Sequence, residues 1–583
     1  MRILCCAVII AAGCAPEDTQ PPATPSPSPA ITASPPVSPP LFHDGAEDAG
    51  LIFSHFIGAT GDFYMPEVMG SGVALLDYDS DGDLDVYLLQ GTMLDATQAV
   101  NDSLFPPPPT HWPGSRLFRN DLTKDGDLSF TDVTADSGLG LDGYAMGAAT
   151  GDIDNDGDPD LYITAYGSNR LYRNDGGTFT DITSGAGVDD ASWSTAAGFS
   201  DYDRDGDLDL WVVNYVEFDQ VRNTVCTSPG GRRDYCGPQV YPPTRDRLFR
   251  NDGEYRFTDV SVNTGIAAKS GPGLGLVWAD FDADGYTDAY VANDGAANFM
   301  WMNRGGQRFE EIAIMAGTGL NTVGSPEASM GVTAGDFDGD GDEDLFMTHL
   351  VRESNTLYVN DGNANFFDAT NSAQLGSSSL SFTGFGSQWF DYDNDSDLDL
   401  FVANGNVKLE ESRVGISDYP FEQRNQLFRN DTGNRFVDIS RSAGPIINAL
   451  EVSRGAAFGD IDNDGDIDIV VTNNNGPVRL LLNNGVGHHD WLRVKLVGTQ
   501  SNRDGAGATV ALLRDGLSPL YRRARSEGSY LSASDIRVHF GLGKNHKITG
   551  IGVIWPLGHR EIWRDINVNT ELTLTEGTGS DWP

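Results

Sequence analysis

An acidic string, D-x-D-x-D-(G)-x-x-D, constrains this chain more than any other feature, because it returns seven times, starting at Asp77, Asp152, Asp201, Asp280, Asp336, Asp391 and Asp460. The starts are about 64 residues apart on average, and such self-similarity marks a repeat architecture. Each copy keeps the same company. A small residue sits five positions upstream (Gly72, Gly147, Ala196, Gly275, Gly331, Gly386, Gly455), and another two positions before that. An apolar segment such as VYLL, LYIT or LFVA follows at once, then a segment such as LFRND, whose Asn-Asp or Asn-Gly is a hairpin-turn signal, then FTDVT or a relative of it. No helical period runs through these units. About four strands per unit, repeated seven times, describe blades around an axis, with the small residues where innermost strands crowd. A linear array of independent domains is the poorer reading, since each unit offers little private core. The expected fold is all-β: a seven-bladed β-propeller over 41–485, followed by a small β-sandwich-like domain.

The acidic loops dictate a chemistry. They hold 35 of the chain's 85 acidic residues, and Arg204 is the only basic residue among them. Two carboxylates ~4 Å apart repel by about 4 kcal/mol at an effective dielectric near 20, so such a turn needs a counter-charge. Oxygen ligands at alternating positions, with Gly allowing a sharp turn, suit Ca²⁺ and its six to eight oxygens; Mg²⁺ would use fewer carboxylates and more water. The expectation is up to seven calcium ions. Side-chain ligands are expected at position 1 (the seven Asp above) and at position 3: Asp79, Asp154, Asp203, Asp282, Asp338, Asp393 and Asp462. Position 5 adds Asp81, Asp156, Asp205, Asp284, Asp340, Asp395 and Asp464; position 9 adds Asp85, Asp160, Asp209, Asp288, Asp344, Asp399 and Asp468. Position 7 would lend a backbone carbonyl. An EF-hand is excluded, because its position-12 Glu is replaced by Leu88, Ile163, Val212, Val291, Met347, Val402 and Val471. Ser396 replaces the usual Gly in the sixth loop, which points to weaker binding there.

The motif and its framing strands resemble the FG-GAP/VCBS repeats of integrin-type propellers. With the insertion RRDYCGP, the segment THLVRESNTLYVN and a tail containing NRDGAGA, YLSASD, HFGLG and WPLGHREIW, the chain resembles the cartilage acidic protein family with a C-terminal ASPIC/UnbV domain. The resemblance covers nearly all of 41–577 and implies secreted, calcium-binding propellers. It implies no defined activity.

The ends read differently from the middle. Met1-Arg2, an apolar run from Ile3 to Ala12 and then Gly13-Cys14 resemble a bacterial lipoprotein signal, with Cys14 as the lipidated residue; an ordinary secretory signal is the alternative. Residues 1–13 are then the signal peptide and 14–40 a Pro/Ser/Thr-rich linker. The protein is expected to be exported, and a bacterial lipoprotein would probe the periplasm or the exterior from the outer membrane. Cys226 and Cys236 remain in the folded region, where a disulfide is a better use than a metal site with no nearby His. Residues 486–577 form the ASPIC/UnbV-like β domain, and 578–583 a tail. From 486 on, basic and acidic residues nearly balance, against a net charge of -47 for the whole chain. Arg522, Arg523 and Arg525 could dock on the acidic propeller or an acidic ligand, or form a solvated basic face.

For function, the negative charge argues against nucleic acid and against an anionic membrane surface, leaving membrane contact only through a lipid anchor. The strand after each acidic loop carries the chain to the opposite rim. There lie Asn214-Tyr215, Asn293-Asp294, His349, Asn404-Gly405-Asn406 and Asn473-Asn474-Asn475, and there the insertions 92–116, 215–246 and 405–425 leave. Long loops on a rigid scaffold concentrate binding sites. Two readings follow: an interaction module for protein or glycan on that rim or, as the alternative, a calcium-assisted polysaccharide lyase or hydrolase. Acid and base candidates for the second are His349, Tyr215, Asp294 and Glu353. No close carboxylate pair outside the loops demands it, so the non-catalytic reading leads.

Overall fold

The computed structural model describes residues 39–582, apart from 96, 108–113, 124–125, 141–142, 418, 432–434, 486–488 and 545–546. The expected signal peptide (1–13), Cys14 and nearly all of the 14–40 linker lie outside the described residues. No helix among those described is long and apolar enough to cross a membrane.

Each acidic loop turns the chain sharply, so the apolar segments on its two sides pair antiparallel. In the first copy Val73–Leu76 pairs with Asp85–Leu88, which pairs with Arg116–Asn120, which pairs with Phe130–Asp132. Seven four-stranded sheets of this kind are present among the described residues. Six take their strands in chain order. The last, built on Ser453–Gly459, Asp468–Asn473 and Arg479–Asn483, borrows Phe42–Asp44 from the start of the folded chain as its fourth strand. The first strand of each sheet packs against the first strands of its neighbours, and Val73–Leu76 touches both Tyr144–Gly151 and Ser453–Gly459, so the circuit closes. The molecule is therefore a β-propeller. One-turn helices such as Thr134–Ser137, Thr183–Ala186 and Ser261–Thr264 follow the fourth strands and were invisible to periodicity, being too short to show one.

The C-terminal region forms two further sheets around a core that includes Leu496, Val510, Ile551, Val553 and Trp555. One is three-stranded, with Trp491–Val497 between Val538–Gly541 and Thr570–Thr575; the other is five-stranded. The segment expected to be a loose tail, 578–583, supplies that second sheet with Ser580–Asp581, paired to Arg560–Trp563. Its short alternation hid a strand that exists only because an edge was waiting for it.

Residues 526–535 leave this region and run into the propeller axis. There Ser529 accepts from the Val332 N–H (3.0 Å), Leu531 from Ala148 (3.2 Å) and Ala533 from Leu75 (2.9 Å). Tyr530 stacks edge-on against Phe385, with ring centroids 4.7 Å apart, and its hydroxyl donates to the Met69 carbonyl. This explains the small residues of the repeat in part. A Cβ at Gly72 would stand 1.6 Å from the Leu531 carbonyl oxygen, and one at Gly455 would stand 2.7 Å from Ser532 Oγ. Crowding at the axis comes from this inserted segment as well as from neighbouring blades.

Candidate functional site

The acidic loops share one backbone design. Position 4 has a positive φ in every copy: Ser80, Asn155, Arg204, Ala283, Gly339, Asn394 and Asn463. So does position 6, where Ser396 adopts φ 89° like the glycines of the other loops. The hydroxyl of Ser396 donates to the Gly541 carbonyl at 3.0 Å, an anchor on the C-terminal region that offsets part of the strain.

The carboxylates divide the work. At position 1 one oxygen accepts the position-6 N–H, as from Gly157 to Asp152 (2.7 Å) and from Gly465 to Asp460 (2.9 Å). At position 9 the carboxylate is a strut: Asp160 accepts from Ile153 N (2.9 Å) and Asn174 N (2.7 Å), tying the loop to the third strand. At position 5 the side chain turns back to accept the N–H two residues on, as in Asp156 with Asp158 (2.9 Å) and Asp464 with Asp466 (2.9 Å). Positions 1, 3 and 9 converge. Asp77, Asp79 and Asp85 offer oxygens within 4.8 Å of one another, as do Asp152, Asp154 and Asp160, Asp201, Asp203 and Asp209, and Asp280, Asp282 and Asp288. The fifth loop instead gathers Asp336, Asp338 and Asp340, because Asp336 turns toward Gly339 N (2.8 Å).

Such clusters could hold a metal ion, and the loose ends fit one. The buried Oδ1 atoms of Asp77, Asp79, Asp203, Asp282, Asp393 and Asp460 have no hydrogen-bond partner among the described residues. Buried acceptors left without a donor are costly. Absent a cation, burial pushes Asp85 up to about 8 and Asp160 and Asp344 up to about 9, with neighbouring carboxylates adding to the effect. An all-oxygen set of this kind suits a hard divalent ion.

Two features that sequence reasoning missed connect these loops. The Asn of six of the seven LFRND-like segments, read as a turn signal, also reaches the preceding loop. Asn174 Nδ2 donates to Tyr78 O (2.8 Å), Asn303 to Tyr202 O (2.8 Å), and Asn120 to Ile461 O (2.9 Å) across the closure. In addition, position 4 of one loop contacts position 7 of the next: Ser80 to Asp158, Asn155 to Asp207, Asn394 to Asp466 and Asn463 to Asp83. The conserved spacing between repeats was the available signal for both.

The C-terminal region sits on this acidic face. Arg493 Nη1 lies 2.7 Å from Asp460, Arg523 Nε lies 2.5 Å from Glu343, and Asp504 accepts from Asp152 N at 2.8 Å. Arg525 also pairs with Glu343. Arg523 and Arg525 thus dock on the propeller, one of the alternatives for the three arginines.

At the opposite rim the four acid–base candidates do come together. Tyr215 donates to Asp294 at 2.6 Å, Glu353 accepts from Ala328 N at 2.9 Å, and Ala328 bridges to Asp294. His349 Nε2 is 3.9 Å from Glu327, and burial lowers its pKa to about 4. Burial raises Asp294 to about 6. The Asn residues expected to line the rim are mostly spent internally: Asn214 on Asp190 and Arg245 O, Asn473 on Glu451 and Pro477 O. Their role is strand-end capping. Sequence reasoning missed Arg454, which is fully buried and donates to the carbonyls of Val68, Gly405, Ser453 and Asn406. It also missed Glu67, which burial raises to about 8 beside the Tyr235 hydroxyl.

The insertions over this rim are interlocked. Cys226 and Cys236 form a disulfide. Arg232 pairs with Glu411 at 2.8 Å, Leu409 N donates to Asp234, and Gln220 Nε2 donates to Leu94 O. Val221 (93% exposed), Ile416 (79%) and Leu104 (58%) stand out from this platform into solvent.

Comparison with known proteins agrees with this architecture. The FG-GAP-like repeat model matches residues 152–212, 280–347 and 336–402, and the ASPIC and UnbV model matches 498–581. The chain is similar to cartilage acidic protein 1 of Homo sapiens, with 25% identity over 316 residues covering 52% of this chain and 44% of that protein. The Mus musculus protein is 24% identical over 316 residues, covering 52% and 45%. The chain thus matches a little under half the length of these relatives. Among solved structures, the BP39L lectin from Burkholderia pseudomallei aligns with a TM-score of 0.42 at 10% identity, covering 72% of this chain and 98% of that one.

Proposed function

We propose that this chain, a propeller with FG-GAP-like repeats and an ASPIC/UnbV domain, is an exported interaction module. In this reading its acidic loops hold calcium and its interlocked insertions bind a protein surface. Positions 1, 3 and 9 supply side-chain oxygens in most loops, and position 5 contributes in the fifth. The ion would supply the counter-charge that lets buried carboxylates approach one another, and the loops would brace the blades rather than touch the partner. Export with lipidation at Cys14 and the domain limits 41–485 and 486–577 belong to the same reading.

The observation that carries the binding face is the exposure of Val221, Ile416 and Leu104 on three separate insertions that are cross-tied to one another. Aliphatic side chains held out on a pre-organised platform suit a protein partner, because little ordering entropy remains to be lost on binding. The test compares the calcium-loaded chain with Val221→Asp/Ile416→Asp, using capture from the exported proteins of its own cell and an immobilised glycan panel. We expect a partner retained by the parent and lost by the variant. Identical recovery by both would overturn the assignment of the face, and glycan binding alone would replace protein as the partner.

A second reading, a carbohydrate-active enzyme, is favoured by one geometry only: Tyr215 on Asp294 near Glu353. A carboxyl held near 6 is what a general acid at neutral pH requires. Release of new chain ends from a polysaccharide, abolished by Asp294→Asn, would establish it.

A further inference from the structure

A cavity of about 520 Å³ lies between the acidic face and the C-terminal region, at the fourth to sixth loops. Between the fourth and fifth and between the fifth and sixth loops, position 4 is Ala283 and Gly339, neither of which has a side chain able to reach position 7 of the next loop. Asp280, Asp336 and Trp389 line one side, and Arg522, Arg523 and Arg525 the other. The volume is that of a small-molecule site.

The arginines are short of partners. Arg523 and Arg525 both pair with Glu343, and Glu527 is the second carboxylate near them. The Arg525 side chain is 8% exposed, and its Nη1 has no partner among the described residues. Burial lowers its pKa to about 10, against the opposing pull of Glu527. Among the described residues Arg522 donates only to carbonyls, those of Tyr521 (2.8 Å), Asp336 (3.5 Å) and Ser396 (3.5 Å). The carboxylates it senses, Asp336, Asp391 and Asp397, all belong to the acidic loops, and none of them makes an ion pair with it among the described residues.

We infer that this cavity binds a small molecule bearing an oxoanion, a carboxylate or a sulfate, held by the guanidinium groups of Arg522 and Arg525. Planar guanidinium forks match such groups two bonds at a time. This site is separate from the insertion-bearing rim and stands or falls independently of it.

The test is isothermal titration of the calcium-loaded full chain with inorganic sulfate, D-glucuronate and D-glucose. We expect saturable binding of at least one anion and none of glucose. A tighter glucuronate isotherm would identify an acidic sugar, and a sulfate isotherm at least as tight would identify the free anion. Arg522→Gln should weaken binding about tenfold or more, the worth of charge-assisted hydrogen bonds. Arg522→Lys, which keeps charge but not the fork, should weaken it less and serves if the Gln variant does not fold. Val221→Asp/Ile416→Asp should leave the isotherm unchanged. Glucose binding as well as glucuronate, no anion binding at millimolar concentration by the folded parent, or an unaltered isotherm in both Arg522 variants would overturn the inference.

Discussion

The two ends of the propeller axis solve the problem of buried charge in opposite ways. At the acidic end many carboxylates face arginines contributed from far along the chain, as Asp460 faces Arg493. At the other end one guanidinium, that of Arg454, is wrapped in carbonyls and pairs with no carboxylate among the described residues. The first arrangement is repetitive and open to an ion. The second is unique, closed, and built from insertions. Repetition marks the end that stabilises; irregularity marks the end where recognition is expected.

Removing the ion should have the largest effect and tests the acidic end alone. Calcium withdrawal should lower Tm by at least about 10 °C, since several sites each contribute through ligand linkage. The pH dependence should then reverse. Carboxyls raised in the folded state keep protons that the unfolded chain has released, so this stability is fully present below about pH 4. It is lost as pH rises through the folded values, about 7 for Asp201 and Asp460 and about 9 for Asp160. Melting scans from pH 5 to 8 should therefore show falling Tm without calcium and no fall with it. A calcium-free protein that gains stability over that range breaks the contrast.

A smaller effect separates the two arginines. Arg454→Leu strips donors from four buried carbonyl groups and should cost about 3 kcal/mol with or without calcium. Arg493→Leu should cost about 1–2 kcal/mol with calcium and more without it, because only then is it the main counter-charge of Asp460. Urea melts of both variants in both conditions supply the comparison; equal calcium dependence would erase it.

The smallest effect lies within the acidic end. Ser396→Ala keeps a side chain at φ 89° and loses the hydrogen bond to Gly541, whereas Ser396→Gly loses the bond but relieves the strain. The Gly variant should be the more stable of the two by about 1 kcal/mol.

Legibility in the sequence followed the same division. The loops and their flanking strands were plain, because seven copies average away what any one residue does for local reasons. The Asn of the LFRND segments was rightly read as a hairpin-turn residue, since Asn174 faces Phe179 across the turn and accepts from Gly177 N; its amide bond to the previous blade was not legible, because a turn signal reports only near neighbours. The small residues at Gly72 and Gly455 were rightly tied to crowding at the axis. That residues 526–535 do much of the crowding could not be read, because nothing in a ten-residue stretch says how far it will travel. Arg454 looked like an ordinary strand residue in SRGAAFGD, and its burial follows from insertions that share no pattern with one another.

The borrowed strand Phe42–Asp44 has a consequence in time. It is synthesised more than 400 residues before its partner, Arg479–Asn483, which is among the last strands of the propeller. At about 5–20 residues per second, roughly half a minute or more of translation separates them. Until then the growing chain is an arc with two unpaired edges, open to wrong partners. Residues 526–535 emerge later still, so the segment that fills the axis arrives only after the circle has all its parts, and maturation ends with an insertion rather than with a closure.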